Sequence, residues 1–375
     1  MEHIIDFLRV ILRMFWIFPI QDKVVLTAYN GRQFGCSPKY LSLQLVKDGR
    51  RVYFALQNTS TEIPNGINVL KYRSIAHFYH LMTAKYIVIN SSGITDLLPY
   101  RKKQVLINTW HGGGYFKIMG NDFFASEEHK RNRQISGNNT SFFLASCEAF
   151  AEQLPRAMSV SEKSVYRCGL PRNDLMFMGG EEARRKVRDY YKIPEDSGIV
   201  IYAPTYRDGV SASVNDSGFA PIDVDKVLDA LEERFDRKFV FVFRAHHDMI
   251  PDNLSDNTIN ASDYSDMQEL LAASDVFISD YSSCMWDFSL QRKPGFLYAP
   301  DLQKYETGHP FGTKTEDWPY PLCLSNDELV ERIKSYVEQE NNAKIEHYLK
   351  VSGSFEDGHA TEKILREIMP KKWRR

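Results

Sequence analysis

After Pro19 the sequence alternates short apolar runs with helical patterns, and this alternation constrains the fold more than any other feature of the chain. Buried strands of a parallel sheet read as nearly continuous apolar runs, so the pattern predicts β-α-β units. The predicted strands are residues 24–28, 52–55, 86–89, 105–109, 141–145, 199–203, 239–244, 258–260, 276–279 and 295–298. The predicted helices are residues 38–48, 75–83, 224–235, 267–273 and 284–290, with a further helix beginning at Cys147.

The length of the chain predicts two domains, since 375 residues exceed the roughly 250–300 residues at which a single core stops growing. The segment Arg-Cys-Gly-Leu-Pro-Arg-Asn-Asp at 167–174 interrupts the alternation with Gly and Pro, and the domain junction is expected just beyond it. The predicted fold class is α/β, with two doubly wound Rossmann-like domains over residues 21–178 and 179–375. The last helices, predicted at 326–339 and 361–369, could cross back to the first domain.

Residues 1–20 predict an amphipathic helix ahead of the first domain. Most side chains there are apolar, but Asp6, Arg9 and Arg13 recur at intervals of three or four and share one helical face. No stretch reaches the ~18 uninterrupted apolar residues of a membrane span. The pattern therefore predicts a helix that lies on a membrane surface, although docking on the chain's own first domain is an equally good explanation and does not exclude membrane contact.

The charge and cysteine content exclude several classes of partner. A formal net charge of −2 gives the whole chain no electrostatic basis for binding nucleic acid. Basic clusters at 101–103, 129–133 and 371–375 could contact an anionic membrane, although solvated surface charge is the commoner explanation for each. Five scattered cysteines without a C-x-x-C pair fit a reducing cytoplasm and indicate neither a disulfide framework nor a zinc site.

Ligands of open α/β sheets bind beyond the carboxyl ends of the strands, which directs attention to polar residues that follow predicted strands. Residues 108–114 read Asn-Thr-Trp-His-Gly-Gly-Gly. Gly112 and Gly113 would let backbone N–H groups approach a phosphate, and a helix predicted to start near Tyr115 would point its positive end there. His111 is a candidate general base, since imidazole changes protonation near neutral pH. The alternative is a turn histidine that the backbone satisfies.

Two further strand ends carry cationic or hydroxyl side chains. Thr205 and Arg207 follow the strand at 199–203 and are suited to phosphate oxygens, unless they belong to a plain proline-initiated turn. Arg244 and His246 project to the same side of an extended backbone and could converge on one ligand. A metal site is not expected there, because adjacent histidines in a strand face opposite ways and no other cluster completes a zinc set.

The fourth candidate is the Ser-Asp-Tyr-Ser-Ser segment at 279–283, between a predicted strand and a predicted helix. Ser282 and Ser283 would present hydroxyls and unpaired N–H groups to an anion, although one of them could simply cap the helix. Ser279 lies in the same candidate loop, and Asp280 could hold a ribose or polyol hydroxyl or orient a histidine. A fifth loop, Asp-Gly-His at 357–359, is weak by itself.

The order of these motifs is more specific than any one of them. Trp-His-Gly at 110–112, Tyr-Ala-Pro-Thr-x-Arg at 202–207, Arg-x-His at 244–246, Ser-Asp-Tyr-Ser-Ser at 279–283 and the loop at 357–358 follow one another along the chain. In this combination the sequence resembles the CDP-glycerol glycerophosphotransferase family of teichoic acid synthesis, from about Val24 to the final helix. The resemblance implies a GT-B-type fold and a CDP-polyol donor bound by the second domain.

The resemblance also implies an acceptor on the side of the first domain, no cofactor, and peripheral attachment to the cytoplasmic face of the bacterial membrane. It implies that His111 is the base and His246 a second essential histidine. Thr205, Arg207, Arg244, Ser282 and Ser283 match positions near the donor phosphates. Two departures loosen the assignment of the acceptor: Gly113 and Gly114 stand where a Thr-Pro type continuation is frequent, and His247 stands where proline is common.

The mechanism expected from this resemblance is in-line transfer of a polyol phosphate. His111 would remove a proton from an acceptor hydroxyl, which attacks the β-phosphorus of the CDP-polyol and expels cytidine monophosphate (CMP). Arg244, His246 and the Ser282-Ser283 helix start would hold the charge that grows on the phosphoryl oxygens, without a metal ion.

Two other functions remain open at this stage. One is a nucleotide-sugar glycosyltransferase or epimerase with the same two-domain fold, and the other is a non-catalytic scaffold at the membrane surface. Within the preferred function, the sequence does not distinguish glycerol from ribitol as the polyol, or priming from polymerisation as the reaction. It also leaves open whether the acceptor is a lipid-linked or a polymeric glycan, whether the product is teichoic acid or capsule, and which oligomeric state the protein has.

Overall fold

The computed structural model describes residues 2–123, 126–205, 221–245 and 257–370. The chain forms two compact units. The first contains the residues up to Gly112, then Met119–Asp174 and the stretch from Ser354 onward; the second contains Gly113–Ile118 and Leu175–Gly353. Each unit is built around one parallel sheet.

The first unit has a seven-stranded sheet in the order β3-β2-β1-β4-β5-β6-β7, and all paired strands are parallel. Its strands are β1 Gln21–Leu26, β2 Val52–Leu56, β3 Ile67–Lys71, β4 Ala84–Ile89, β5 Val105–Asn108, β6 Thr140–Ala145 and β7 Val165–Arg167. The strand order reverses between β1 and β4, which makes the carboxyl end of these two strands the place where such sheets bind ligands.

The second unit has a six-stranded sheet in the order β10-β9-β8-β11-β12-β13, again with parallel pairs throughout. Its strands are β8 Gly198–Ala203, β9 Phe239–Phe243, β10 Thr258–Asn260, β11 Val276–Ser279, β12 Gly295–Tyr298 and β13 Leu322–Cys323. The order reverses between β8 and β11, so the residues that follow these two strands lie at the switch point of this sheet.

Helices connect the strands in both units. In chain order they are α1 Glu2–Leu12, α2 Cys36–Lys47, α3 Ile75–Thr83, α4 Glu127–Asn139, α5 Glu148–Met158, α6 Asp174–Phe177, α7 Glu181–Tyr191, α8 Val224–Phe235, α9 Met267–Ala273, α10 Cys284–Ser289, α11 Leu302–Gly308, α12 Asn326–Lys334, α13 Glu338–Ser352 and α14 Ala360–Glu367. Several begin at side-chain caps, as where Ser74 accepts the His77 N–H and Asp223 accepts the Lys226 N–H.

The two-domain α/β fold expected from the sequence is confirmed, and every predicted strand is present with ends that differ by a few residues. The helix predicted to start near Tyr115 is wrong, because residues 115–119 contain no helix. Lys117 instead forms an isolated antiparallel bridge with Phe311, and the next α-helix begins at Glu127. The helix predicted over residues 326–339 is two helices, α12 and α13. Residues 175–178 belong to the second unit, whereas the sequence-based boundary puts them in the first domain.

The final helix, α14, belongs to the first unit. Ile364 of this helix and Ile368, which follows its last residue, lie in the same buried cluster as Leu41 and Leu45 of α2. The backbone N–H groups of Ala360 and Thr361 each donate to the Asp174 carboxylate at 2.9 Å, which caps the helix.

The first helix and the 3-10 turn that follows it, Arg13–Ile17, have both a docked and an exposed side. Leu12 is buried, and the Arg9 guanidinium donates to the Leu97 carbonyl at 2.5 Å. Phe7, Met14 and Ile17 are 67%, 70% and 81% exposed. None of the helices within the described residues combines the length and apolar character needed to cross a membrane.

Candidate active site

The loop after β5 carries His111 in a conformation that its neighbours enforce. Asn108, the last residue of the strand, accepts the Trp110 N–H on its side-chain oxygen at 2.9 Å. Trp110 has a φ of +54°, in the left-handed region that costs a residue with a Cβ atom about 1–2 kcal/mol. This turn ends the strand sharply and places His111 beyond the carboxyl edge of the sheet.

The environment of His111 determines which ring nitrogen is available. Its Nδ1 lies 2.7 Å from the Asn90 carbonyl oxygen. A carbonyl can only accept a hydrogen bond, so Nδ1 carries the proton in the neutral ring and Nε2 keeps a free lone pair. The ring centroid lies 5.9 Å from that of Tyr29 and 4.4 Å from that of Trp110, while the residue remains exposed to solvent.

The pKa of His111 is lowered from its ordinary value. Desolvation by the surrounding protein is the main cause, the hydrogen bond to the Asn90 carbonyl acts in the opposite direction, and the positive charge of Arg172 adds to the lowering. The lowered pKa favours the neutral imidazole, which is the form that can accept a proton.

Two residues that influence His111 were missed in the sequence. Asn90 directly follows β4 and receives the Tyr29 N–H on its side-chain oxygen at 2.7 Å. The search for polar residues after strands could have found it. Arg172 is 2% exposed and its Nη1 lies 3.3 Å from the Cys36 sulfur. No sequence signal marks Arg172, because its segment reads as a Gly-Pro turn.

In the second unit, Thr205 and Asp280 meet at the switch point between β8 and β11. The Asp280 carboxylate accepts the Thr205 N–H at 2.9 and 3.0 Å and the Thr205 hydroxyl at 2.6 Å. It also accepts the Tyr281 N–H. Asp280 has no exposed area. The carboxylate therefore connects the loop after β8 with the loop after β11. The sequence had suggested other roles for Asp280, namely holding a ligand hydroxyl or orienting a histidine.

The three serines of the segment 279–283 differ in their surroundings. Ser279 is fully buried and donates its hydroxyl to the Ala203 carbonyl at 2.6 Å, so it links β11 to β8. The Ser282 hydroxyl accepts the Cys284 N–H at 3.3 Å. Ser283 occupies the N-cap position of α10 without a side-chain capping hydrogen bond. Ser282 and Ser283, both partly exposed, are the better candidates for contact with a ligand.

Arg244 directly follows β9, and its Nη1 donates to the Ala261 carbonyl at 2.6 Å and also to the Ser262 carbonyl. These bonds place the guanidinium beside the loop that follows β10. Arg207 and His246 lie outside the described residues. Within the part of the chain that the structure describes, no group of three or more His, Cys, Asp or Glu side chains could hold a metal ion.

Known proteins resemble this chain along most of its length. It is 25% identical to the teichoic acid poly(glycerol phosphate) polymerase of Bacillus spizizenii, over 96% of this chain and 95% of that protein. It is 27% identical to the teichoic acid glycerol-phosphate transferase of Staphylococcus aureus, over 93% of each. The chain spans 49% of the length of two other poly(glycerol phosphate) polymerases that it matches.

Solved structures agree with the fold. The wall teichoic acid polymerase TagF, in a histidine variant, superposes with a TM-score of 0.82 at 24% identity, over 94% of this chain and 91% of that one. The family model described as CDP-Glycerol:Poly(glycerophosphate) glycerophosphotransferase matches residues 10–370. The chain therefore belongs to the CDP-glycerol:poly(glycerophosphate) glycerophosphotransferase family.

Proposed function

We propose that this protein transfers glycerol phosphate or ribitol phosphate from a CDP-polyol donor to a lipid-linked or polymeric glycan acceptor in teichoic acid or capsule synthesis, and releases CMP. The observation that carries this function is the His111 imidazole, whose Nδ1 lies 2.7 Å from the Asn90 carbonyl oxygen at the carboxyl end of a parallel sheet, in a member of this family.

In this reaction His111 Nε2 takes the proton of an acceptor hydroxyl. The hydroxyl oxygen forms a bond to the β-phosphorus of the donor, the bond from that phosphorus to the bridging oxygen breaks, and CMP leaves. Charge on the phosphoryl oxygens is balanced by Arg244 and by the N–H groups at the start of α10, next to Ser282 and Ser283. We assign Thr205, Arg207 and His246 to the same donor side, and Gly112 and Gly113 to the loop of the base.

Solved UDP-N-acetylglucosamine 2-epimerases share the fold with this chain but little sequence. One from Listeria monocytogenes has a TM-score of 0.53 at 11% identity. Likeness at that level concerns the fold alone, so it gives the glycosyltransferase or epimerase alternative no support at the site.

The function is tested by incubating purified protein with CDP-glycerol and, separately, CDP-ribitol, with a membrane fraction as acceptor. We expect CMP to be released from one of the two donors and the corresponding polyol phosphate to appear in the acceptor. Release of a nucleoside diphosphate from a nucleotide sugar would favour the glycosyltransferase instead. No release from either CDP-polyol with competent acceptors would contradict the proposal.

We also propose that the protein works at the cytoplasmic face of the bacterial membrane, bound peripherally to its anionic surface. Support comes from the exposed apolar side chains of the first helix and the turn after it, Phe7, Met14 and Ile17. Arg13 lies next to them, with its guanidinium 5.7 Å from the Trp16 ring centroid. Apolar side chains beside arginines are the combination that inserts into a lipid headgroup layer.

Changing Phe7, Met14 and Ile17 together to aspartate is expected to reduce binding to anionic vesicles by at least about 100-fold. Each of these side chains contributes on the order of 1.5–3 kcal/mol when it leaves water, and the new charges repel the surface. The measurement is co-sedimentation with phosphatidylglycerol vesicles. Ile75→Asp is the matched control, because Ile75 is 81% exposed in α3. Equal vesicle binding by the triple variant and the control would contradict membrane attachment through this surface.

A further inference from the structure

Gly113 and Gly114, which follow the Trp-His-Gly motif and belong to the second unit, lie against the indole ring of Trp286 in that same unit. A Cβ atom on Gly113 would lie 2.1 Å from Trp286 Cδ1 and 3.0 Å from Asp287 Oδ1. A Cβ atom on Gly114, which has a φ of +66°, would lie 2.7 Å from Trp286 Cε3 and 3.1 Å from the Tyr348 hydroxyl oxygen. The backbone therefore rests directly on the ring, and a side chain at either position would displace it.

Trp286 is itself held firmly. It has no exposed area, and its ring meets that of Tyr348 edge to face with centroids 5.6 Å apart. Its backbone N–H donates to the Ser283 carbonyl at 3.0 Å, and its carbonyl accepts the Ser289 hydroxyl at 2.7 Å. The neighbouring Asp287 accepts Gln268 Nε2 at 2.9 Å. The ring is thus a rigid surface on α10.

This helix is the one that begins next to Ser282 and Ser283, the hydroxyls assigned above to the donor phosphates. Trp286 therefore connects two segments that have different proposed roles. One is the backbone at Gly113 and Gly114, which follows the proposed base, and the other is α10, which begins next to the proposed donor-binding serines. Without such a contact, a run of glycines would be expected to be flexible, because glycine loses more conformational freedom on ordering than any other residue.

We propose that Trp286 is a positioning residue for polyol phosphate transfer. By packing on Gly113 and Gly114 it fixes the backbone that follows His111 to the helix that starts at the donor serines. This inference rests on the proposed function. Proton transfer in the transition state needs the base within hydrogen-bond reach, and a displacement of about 1 Å can cost on the order of 100-fold in rate. Donor binding does not need the loop to be fixed in this way.

Gly113→Ala is expected to lower kcat for CMP release about tenfold or more, while KM for the CDP-polyol stays within about twofold. Gly308→Ala is the matched control, since a Cβ atom at that position of the same unit has no neighbour within 4 Å. The control should behave as the wild type. A variant that merely unfolds would lose activity together with its melting transition, so thermal unfolding is followed in parallel.

Trp286→Ala provides the complementary test because it removes Cγ and Cδ1, the two ring atoms that the alanine methyl group at position 113 would meet. Alone it should lower kcat with KM unchanged; combined with Gly113→Ala it should restore part of the lost kcat. Unchanged kcat in both single variants, or a double variant whose loss is the product of the single losses, would overturn the positioning role. Inactivity of the wild type towards both CDP-polyols would instead overturn the proposed function.

Discussion

His111→Ala is expected to lower kcat for CMP release by about 10²–10⁴-fold, the usual contribution of a general base. The binding of CDP should change little, because the imidazole acts on the acceptor hydroxyl. The measurement is CMP release at saturating CDP-polyol, with His347→Ala as control, since that histidine lies on the exposed surface of α13 beside Asp317. Wild-type rates in the His111 variant would remove the base from the mechanism.

The pH dependence of the same reaction provides an independent check on His111. Its pKa is lowered in the folded protein, so the neutral imidazole persists below the ordinary histidine range. The rate should therefore fall only as the pH decreases through a value below about 6.5, where the ring takes up a proton and can no longer act as a base. This acidic limb of the kcat/KM profile should be absent from the residual activity of His111→Ala.

Asp280→Ala should have the second large effect, on both thermal stability and donor affinity. The substitution removes three hydrogen bonds to the buried carboxylate, from the Thr205 N–H, the Thr205 hydroxyl and the Tyr281 N–H. A hydrogen bond to a charged group contributes about 1.5–3 kcal/mol. We expect the melting temperature to fall by on the order of 5–10 °C and the affinity for CDP to fall with it, since the two loops separate.

Ser279→Ala is the matched control for Asp280→Ala, because it removes one neutral hydrogen bond, to the Ala203 carbonyl, at the same switch point. Its expected effect on the melting temperature is a few degrees, in line with about 1 kcal/mol for such a bond. Differential scanning fluorimetry and calorimetric titration with CDP measure both quantities. An Asp280 variant that melts and binds like the Ser279 variant would show that the carboxylate does not organise the donor loops.

Most strands of both sheets could be predicted because a parallel strand buried on both faces is a continuous apolar run, whereas the edge strands β3, β7 and β13 are only partly buried and were missed. The run at 276–279 illustrates this, since strand β11 has the same bounds. The proposed place of the site rests on the same pattern, because Asp280 directly follows such a run and Thr205 and His111 come two and three residues after theirs. Local sequence contains enough information for these features.

The features that the sequence did not predict depend on contacts between distant parts of the chain. Three successive glycines suggested a phosphate loop that opens a helix, but two of them make room for Trp286, which no local pattern indicates. The positive charge of Arg172 lowers the pKa of His111 from a segment that reads only as a turn. Asp174 caps a helix that begins at Ala360, so its role appears only when both ends of the first unit are known.

The position of α14 has a consequence for the order in which the protein folds during synthesis. A chain emerges from the ribosome at about 5–20 residues per second, and domains generally fold as they appear. The second unit is complete once Gly353 has emerged, whereas the first still lacks the segment from Ser354 that covers Leu41 and Leu45. The unit that starts the chain is thus the last to close, and a ribosome-bound nascent chain without α14 would be a substrate for chaperones at its amino-terminal half.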